Sequence, residues 1–182
     1  MKKRKLKIAL IALLCTVLFY IGTTVAYLFS VAGPVENVFT IGDIKLSLTE
    51  TTGESYQLIP GKVISKNPKV TVEGGSEDCW LFIKVTKTEY FDDYIESEIE
   101  PGWTRLGGYD GVYYRNVVKS AGGSDFHILK NDSITVKDNL TEEKMSGITA
   151  LPKITFKAYA IPSHSIETAV DAWKQILKEG AE

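Results

Sequence analysis

Segment Cys79–Lys87 is apolar on two alternating faces over much of its length. Leu81 and Ile83 fall on one face, and Trp80 and Phe82 fall on the other. Because successive side chains of a β-strand point to opposite sides of its sheet, this alternation predicts a strand with both sides covered. We expect either a central strand of the fold or a strand that meets another surface.

Shorter segments repeat this period of two between turn signals. Residues 38–50 predict one strand with a buried face that carries Ile44, Leu46 and Leu48. Further strands are expected at residues 69–73, 103–109, 112–119, 126–129, 133–137 and 152–161. Turns are expected at Pro60-Gly61, Asn67-Pro68, Gly74-Gly75, Gly107-Gly108 and Tyr109-Asp110-Gly111.

Helical spacing is clear only near the end of the chain. Ile166, Val170, Trp173 and Leu177 recur on one face, and Ala169 and Ile176 widen this apolar stripe. The spacing predicts an amphipathic helix over residues 165–178 with Ser165 as its cap. A shorter acidic helix is expected within residues 91–100. Seven or eight strands and one terminal helix predict an all-β fold, a two-sheet antiparallel sandwich with a C-terminal amphipathic α-helix.

The first 26 residues have the pattern of a signal peptide. Five basic residues within the first seven precede an apolar stretch, and Thr24 and Ala26 occupy the two positions that a signal peptidase reads. We expect cleavage after Ala26, which makes the protein extracellular or cell-surface. The alternative is an uncleaved membrane helix, since residues 8–35 are long enough to span a bilayer.

Removal of this leader takes away five of the 21 basic residues and none of the 23 acidic ones, which leaves a net charge of −7. Such an acidic chain is not expected to bind nucleic acid. Cys79 is then the single remaining thiol, expected to be buried and inert, so stability must come from the core or from self-association.

The residues between the leader and the first strand are apolar. We expect an exposed arm over residues 27–37 and the folded domain over residues 38–182. Edge strands of a sandwich must be covered or they pair with neighbours, so an added strand can serve as a mechanism of assembly. The alternative is an arm that is disordered or that covers its own domain.

The sequence contains no pattern that indicates catalysis. His127 and His164 are too few for a catalytic zinc site, and no phosphate-binding loop or nucleophile motif is present, so we expect neither an enzyme nor a metal or other cofactor. Asp92-Asp93, Asp110 and Asp132 are expected to be solvated rather than bound to calcium. The aromatic residues Trp80, Phe82, Trp103, Tyr109, Tyr113 and Tyr114 are expected in the core rather than in a binding platform.

An ordered set of short segments resembles the TasA/camelysin family of exported proteins of Gram-positive bacteria. These segments are residues 22–28 (GTTVAYL), 37–46 (NVFTIGDIKL), 60–62 (PGK), 66–68 (KNP), 154–161 (ITFKAYAI) and 169–173 (AVDAW). The resemblance implies a dedicated ER-type signal peptidase as a transient partner, a jelly-roll-like sandwich and, for TasA-like members, subunits of biofilm-matrix fibres.

In such fibres the N-terminal segment is donated as a strand to the next subunit. Carried over to this sequence, the donated residues are Tyr27, Leu28, Phe29, Ser30, Val31 and Ala32, followed by Val35, Val38 and Phe39. Because proline has no N–H to donate, the strand should stop or bulge at Pro34. The resemblance also raises a camelysin-like metalloprotease, which the two histidines disfavour.

From the sequence we therefore expect an exported structural protein, a major or accessory fibre subunit that binds copies of itself or a related subunit. A membrane-anchored cell-surface binding module is the alternative, and a protease is the third.

Overall fold

The computed structural model describes residues 35–52, 56–146, 148 and 152–180, which form a mostly β-sheet fold with few helices. The strands are β1 Val35–Thr40, β2 Leu46–Thr49, β3 Val63–Ser65, β4 Lys69–Val72, β5 Cys79–Lys87, β6 Ile95–Glu96, β7 Thr104–Arg105, β8 Val112–Val117, β9 Ser124–His127, β10 Ser133–Val136 and β11 Ile154–Pro162. The helices are α1 Phe91–Tyr94, α2 Glu142–Ser146 and α3 Ala169–Lys178, with a 3₁₀ turn at Lys130–Asp132.

The largest sheet has five strands in the order β1-β11-β5-β8-β7. Strand β5 lies at its centre and pairs along its whole length with β11, from Cys79 opposite Pro162 to Lys87 opposite Ile154. This confirms that Cys79–Lys87 is a central strand. The expectation of wholly antiparallel pairing was wrong, because β1 runs parallel to β11.

A second layer consists of two three-stranded sheets, ordered β3-β10-β6 and β2-β4-β9. They are joined where β3 leads into β4 and β9 leads into β10. There the Ile128 N–H donates to the Pro68 carbonyl at 3.0 Å, and the Lys66 N–H donates to the Asp132 carbonyl at 2.7 Å. Residues from all three sheets share one apolar cluster, so this layer packs against one face of the five-stranded sheet.

Helix α3 covers the other face of the five-stranded sheet. Trp173 is buried there against Phe82 and Tyr159, with ring centroids 5.2 and 5.1 Å apart. This aromatic contact explains why a short helix holds its place on the sheet, since such pairs stabilise beyond the area they bury.

The predicted start and face of this helix were wrong in part. Thr168, rather than Ser165, caps the helix, and its hydroxyl oxygen accepts the Asp171 N–H at 3.1 Å. The predicted Ala169, Trp173 and Ile176 are buried, but the fourth buried residue is Ala172, so the stripe is rotated away from Val170 and Leu177. Val170 and Leu177 are consequently 36% and 40% exposed.

Residues 38–50 form two strands rather than the single predicted one. Gly42 separates them with φ at +78°, and a Cβ there would approach Pro162 Cγ at 2.6 Å. A left-handed backbone position of this kind ends a strand and favours glycine. The chain therefore crosses here from β1 in the five-stranded sheet to β2 in the second layer.

Two other predicted elements are shorter than expected. Within residues 91–100 the helix ends at Tyr94, because the chain then pairs with other strands through β6 and the bridge between Ile99 and Leu129. Within residues 103–109 only Thr104–Arg105 is a strand. The described residues contain eleven strands, rather than seven or eight.

None of the helices within the described ranges is long and apolar enough to cross a membrane. The leader, with Thr24 and Ala26, lies outside the described residues. So do the arm residues Tyr27, Leu28, Phe29, Val31 and Ala32, whereas Val35 opens β1.

Candidate functional site

The two lateral edges of the five-stranded sheet are closed in different ways. On one edge, β1 pairs with β11 through Val35 opposite Phe156 and Phe39 opposite Tyr159, with an irregular register between Val35 and Val38. The Ile41 N–H extends this pairing with a hydrogen bond of 3.0 Å to the Ala160 carbonyl. The residues 35–37 that the sequence assigned to the arm thus belong to a strand.

The partner of β1 ends shortly beyond this pairing. Strand β11 begins at Ile154, only two positions before the Phe156 that faces Val35. Because the two strands are parallel, a strand continued upstream of Val35 would pass the start of β11 after about two residues. The domain's own β11 therefore offers little further backbone to residues 27–34.

A buried ion pair lies beneath this edge. Lys66 Nζ donates to both carboxylate oxygens of Glu50 at 2.7 and 2.9 Å, and the two side chains are only 1% and 7% exposed. The ammonium group also lies 5.9 Å from the centre of the Phe156 ring. A buried charge needs such a partner, so the pair fixes β2 and the β3–β4 connection beside the core.

On the opposite edge of the sheet, β7 covers only two residues of β8. Strand β7 pairs with Tyr113 and Tyr114 of β8 and goes no further. The Leu106 N–H donates to the Val112 carbonyl at 2.8 Å, which sets the alternation of backbone groups along β8. By that alternation the N–H and C=O of Asn116 point to the β7 side, where the described part of the chain places no strand.

Side chains, rather than a strand, fill the space beside this uncovered part of β8. The Arg115 guanidinium carbon lies 4.7 Å from the centre of the Trp103 ring and 4.4 Å from that of Phe126. Trp103 in turn donates its indole N–H to the His127 carbonyl at 2.8 Å. We call Trp103, Arg115 and Phe126, together with the edges of β8 and β9 beside them, the Arg115 corner.

Arg115 is held without an ion pair. Its Nε donates to the Gly102 carbonyl at 3.3 Å, and a Cβ at Gly102 would lie 2.3 Å from the guanidinium, so the close approach requires glycine. Burial lowers the pKa of Arg115, against the opposing effect of Glu100. Within the described residues no carboxylate lies within ion-pair distance of the guanidinium, so its remaining donors can serve another chain.

An open cleft of about 410 Å³ adjoins the corner. Its lining carries the carboxylates of Glu100, Asp125 and Asp132 together with the guanidinium of Arg115 and the imidazole of His127. Asp125 accepts hydrogen bonds from Lys69 Nζ at 2.7 Å and Thr71 Oγ1 at 2.6 Å, and these bonds lower its pKa. Asp125 is paired with Lys69 and Asp132 with His127, which leaves Glu100 as the carboxylate of the lining that has no ion pair among the described residues.

One wall of the cleft is formed by the loop that joins β9 to β10. His127 Nδ1 lies 2.7 Å from Asp132 Oδ1, across a loop in which Asn131 and Asp132 have positive φ values of 55° and 49°. Non-glycine residues in this left-handed region are uncommon. The loop separates β9 from β10, and no strand among the described residues pairs with the outer edge of β9, where the Trp103 indole N–H binds the His127 carbonyl.

In the ranges that the structure describes, no three histidine, cysteine, aspartate or glutamate residues are grouped so as to hold a metal ion. His164 is exposed and lies 3.9 Å from Glu77. Burial, with a smaller effect of Asp78, raises the pKa of Cys79 to about 11, which keeps it a thiol at neutral pH.

The acidic residues considered as calcium ligands belong to separate ion pairs. Asp92 accepts from Lys87 at 2.7 Å and Asp110 from Arg105 at 2.9 Å, whereas Asp132 faces His127. The predicted core role of the aromatic residues is confirmed: Phe82 and Trp103 are buried, and Trp80, Tyr109, Tyr113 and Tyr114 pack partly buried against the two apolar clusters.

Sequence reasoning did not single out Arg115 or Asn116. A signal was present, because Arg115 occupies the inward-facing position between Tyr113 and Val117 in an otherwise apolar alternation. A charged residue on the inner face of a strand is a known device for protecting an edge.

No family model matches the chain, and no curated protein or solved structure matches it either.

Proposed function

We propose that this protein is an exported, non-enzymatic jelly-roll-like β-sandwich that serves as a subunit of extracellular matrix fibres. Its apolar arm, residues 27–34, is donated as a strand to a neighbouring subunit, and Val35, which the sequence placed in the arm, instead pairs with Phe156 of its own chain. The partners are then copies of the same chain or of a related subunit, and a signal peptidase acts transiently before assembly.

The end of β11 is the observation that supports this proposal. Beyond Val35 only about two positions of β11 remain, whereas the arm has eight residues and five of them are apolar or aromatic: Tyr27, Leu28, Phe29, Val31 and Ala32. Backbone N–H and C=O groups removed from water need partners, and an open sheet edge supplies them. A neighbouring subunit can provide that edge.

Cleavage of the leader is the first requirement, and the mass of the exported protein tests it. A chain that begins at Tyr27 supports the fibre proposal. An intact leader instead supports the membrane-anchored binding module, because the arm then continues into the apolar segment that precedes it.

The arm itself is tested by substitutions that keep its length. We expect Leu28→Ser, Phe29→Ser and Val31→Ser together to abolish filaments of the exported protein in electron micrographs, because a polar arm loses the apolar burial that docking would supply. The control carries Val170→Ser and Leu177→Ser on the exposed side of α3 and should still form filaments. Equal filament formation by the arm variant and its control would refute strand donation.

A further inference from the structure

Resting on this proposed function, we infer that the Arg115 corner is the surface that accepts the arm of the neighbouring subunit. The arm adds as a strand beside the uncovered part of β8, next to the outer edge of β9, and the cleft receives its N-terminal end.

Both layers present free backbone at this corner. On β8 the groups of Asn116 face the side where β7 has ended. On β9 the hydrogen bond from the Ile128 N–H to the Pro68 carbonyl sets an alternation that directs Asp125 and His127 away from β4. The indole N–H of Trp103 already donates to the His127 carbonyl. The backbone groups of Asn116 and Asp125 are therefore the main ones that could pair with an added strand.

The corner also lies out of useful reach of the arm of the same subunit. Strand β1 is separated from β8 by β11 and β5, which corresponds to about 14 Å across the sheet. Val35 lies level with Phe156 and the uncovered end of β8 lies level with Pro162, about 20 Å further along the strands. These offsets combine to a straight-line distance of about 24 Å, and eight extended residues span at most about 29 Å, so an arm that reached its own corner would have about one residue left to pair there.

This diagonal arrangement determines the kind of assembly. The arm leaves the sheet at one corner, and the accepting edge lies at the opposite corner of the same sheet. Contacts between two different surfaces are heterologous, and they produce open filaments unless the rotation happens to close a ring. The accepting edge therefore fits a growing fibre.

The chemistry of the corner matches the arm. Phe126, which is partly exposed, offers an apolar surface to a side chain such as Phe29, whereas Trp103 is buried and Arg115 lies over both rings. Cleavage after Ala26 would create an α-ammonium group on Tyr27, and Glu100, the carboxylate of the cleft that has no ion pair among the described residues, suits that charge. The unpaired guanidinium of Arg115 can donate to carbonyl oxygens of the incoming strand.

Disulfide trapping in the exported protein tests this assignment. Arm variants Leu28→Cys, Phe29→Cys and Val31→Cys are each mixed with a Val118→Cys variant, assembled, oxidised and run on a non-reducing gel. Val118 follows β8 and is 70% exposed; the control, Val63→Cys on β3, replaces a valine that is 62% exposed. We expect roughly tenfold more cross-linked dimer with Val118→Cys for at least one arm position, because only closely held cysteines bridge.

Each result separates this inference from the proposed function. Filaments that form but cross-link equally through Val63→Cys, or not at all through Val118→Cys, would overturn the corner assignment and leave strand donation standing. If the parent protein forms no filaments, the proposed function fails and this inference fails with it. Buried Cys79 does not interfere, because its pKa is about 11 and its side chain is inaccessible.

Discussion

The two lateral edges of the five-stranded sheet differ in what protects them. The β1 edge is closed by six residues of backbone that lie along β11, above the buried Phe156. The β8 edge is closed by the two residues of β7 and, beyond them, by the side chain of Arg115 between two aromatic rings. Strand β11 has its outward-facing hydrogen bonds satisfied by β1, which is itself the outermost strand, whereas β8 is left without a strand beside Asn116.

The difference shows how one fold can be stable and still be ready to assemble. An unprotected edge can pair with any exposed strand. A charged side chain at the edge limits association to a partner that interacts favourably with that side chain. The apolar arm that we propose, with the α-ammonium group that cleavage after Ala26 would create, is such a partner. The predictions below compare matched changes at the two edges.

The largest contrast is expected between two phenylalanines. Phe156→Ala beneath β1 should lower the free energy of unfolding by about 3–5 kcal/mol, because the side chain is fully buried. Phe126→Ala at the corner should lower it by about 1–2 kcal/mol, since Phe126 is only partly buried. Urea denaturation of both variants measures the difference, and equal losses would mean that the two edges are equally well packed.

Breaking an ion pair near each edge should produce an almost equally large contrast in the free energy of unfolding. Glu50→Gln leaves the buried Lys66 charge unpaired and should lower the free energy of unfolding by about 3–5 kcal/mol. Asp125→Asn breaks the exposed pair with Lys69 and should lower it by at most about 1 kcal/mol. A double variant, Glu50→Leu with Lys66→Met, serves as the control and should recover most of the loss.

Proline substitutions compare the backbones of the two edges. Ile41→Pro removes the hydrogen bond to the Ala160 carbonyl and should lower the free energy of unfolding by about 1–3 kcal/mol. Asn116→Pro removes an N–H that has no strand beside it, so the unassembled protein should lose little stability while filament formation falls sharply. Asn116→Ala keeps that N–H and should assemble normally. Normal filaments from Asn116→Pro would contradict the role of this edge.

The smallest expected effect is the contribution of Asp125 to the stability of the protein at low pH. Hydrogen bonds from Lys69 and Thr71 hold the pKa of Asp125 below its ordinary value of 3.8 in the folded protein. A lowered folded-state pKa stabilises the protein above pH 3.8, and this contribution is lost as the pH falls through the folded-state value. The urea midpoint should therefore fall less between about pH 5 and about pH 3 in Asp125→Asn than in the parent chain. An identical fall in both would exclude this contribution.

The sequence predicts the parts of the fold that local alternation determines. Cys79–Lys87 and Ile154–Pro162 are long alternating runs, and the structure contains both as strands. The residues on the inner side of the latter, among them Ile154, Phe156 and Ala158, are buried as predicted. Such a prediction holds even when the neighbouring strands are distant in the sequence, because each buried face of a strand needs its own apolar side chains.

Other features depend on which strands become neighbours, and no local pattern encodes that. Residues 38–50 alternate throughout, yet Gly42 divides them between two sheets. The parallel pairing of β1 and the two-residue length of β7 arise from the whole arrangement of strands. The corner was missed for the same reason, because Trp103, Arg115 and Phe126 come from three separate segments.

Residue-resolved hydrogen exchange, compared between filaments and the unassembled arm variant, tests the difference between the edges most directly. We predict that the Ile41 amide is protected in both states, whereas the Asn116 and Asp125 amides exchange quickly in the unassembled protein and become protected in filaments. Asn116 and Asp125 amides that exchange at the same rate in both states would contradict the account.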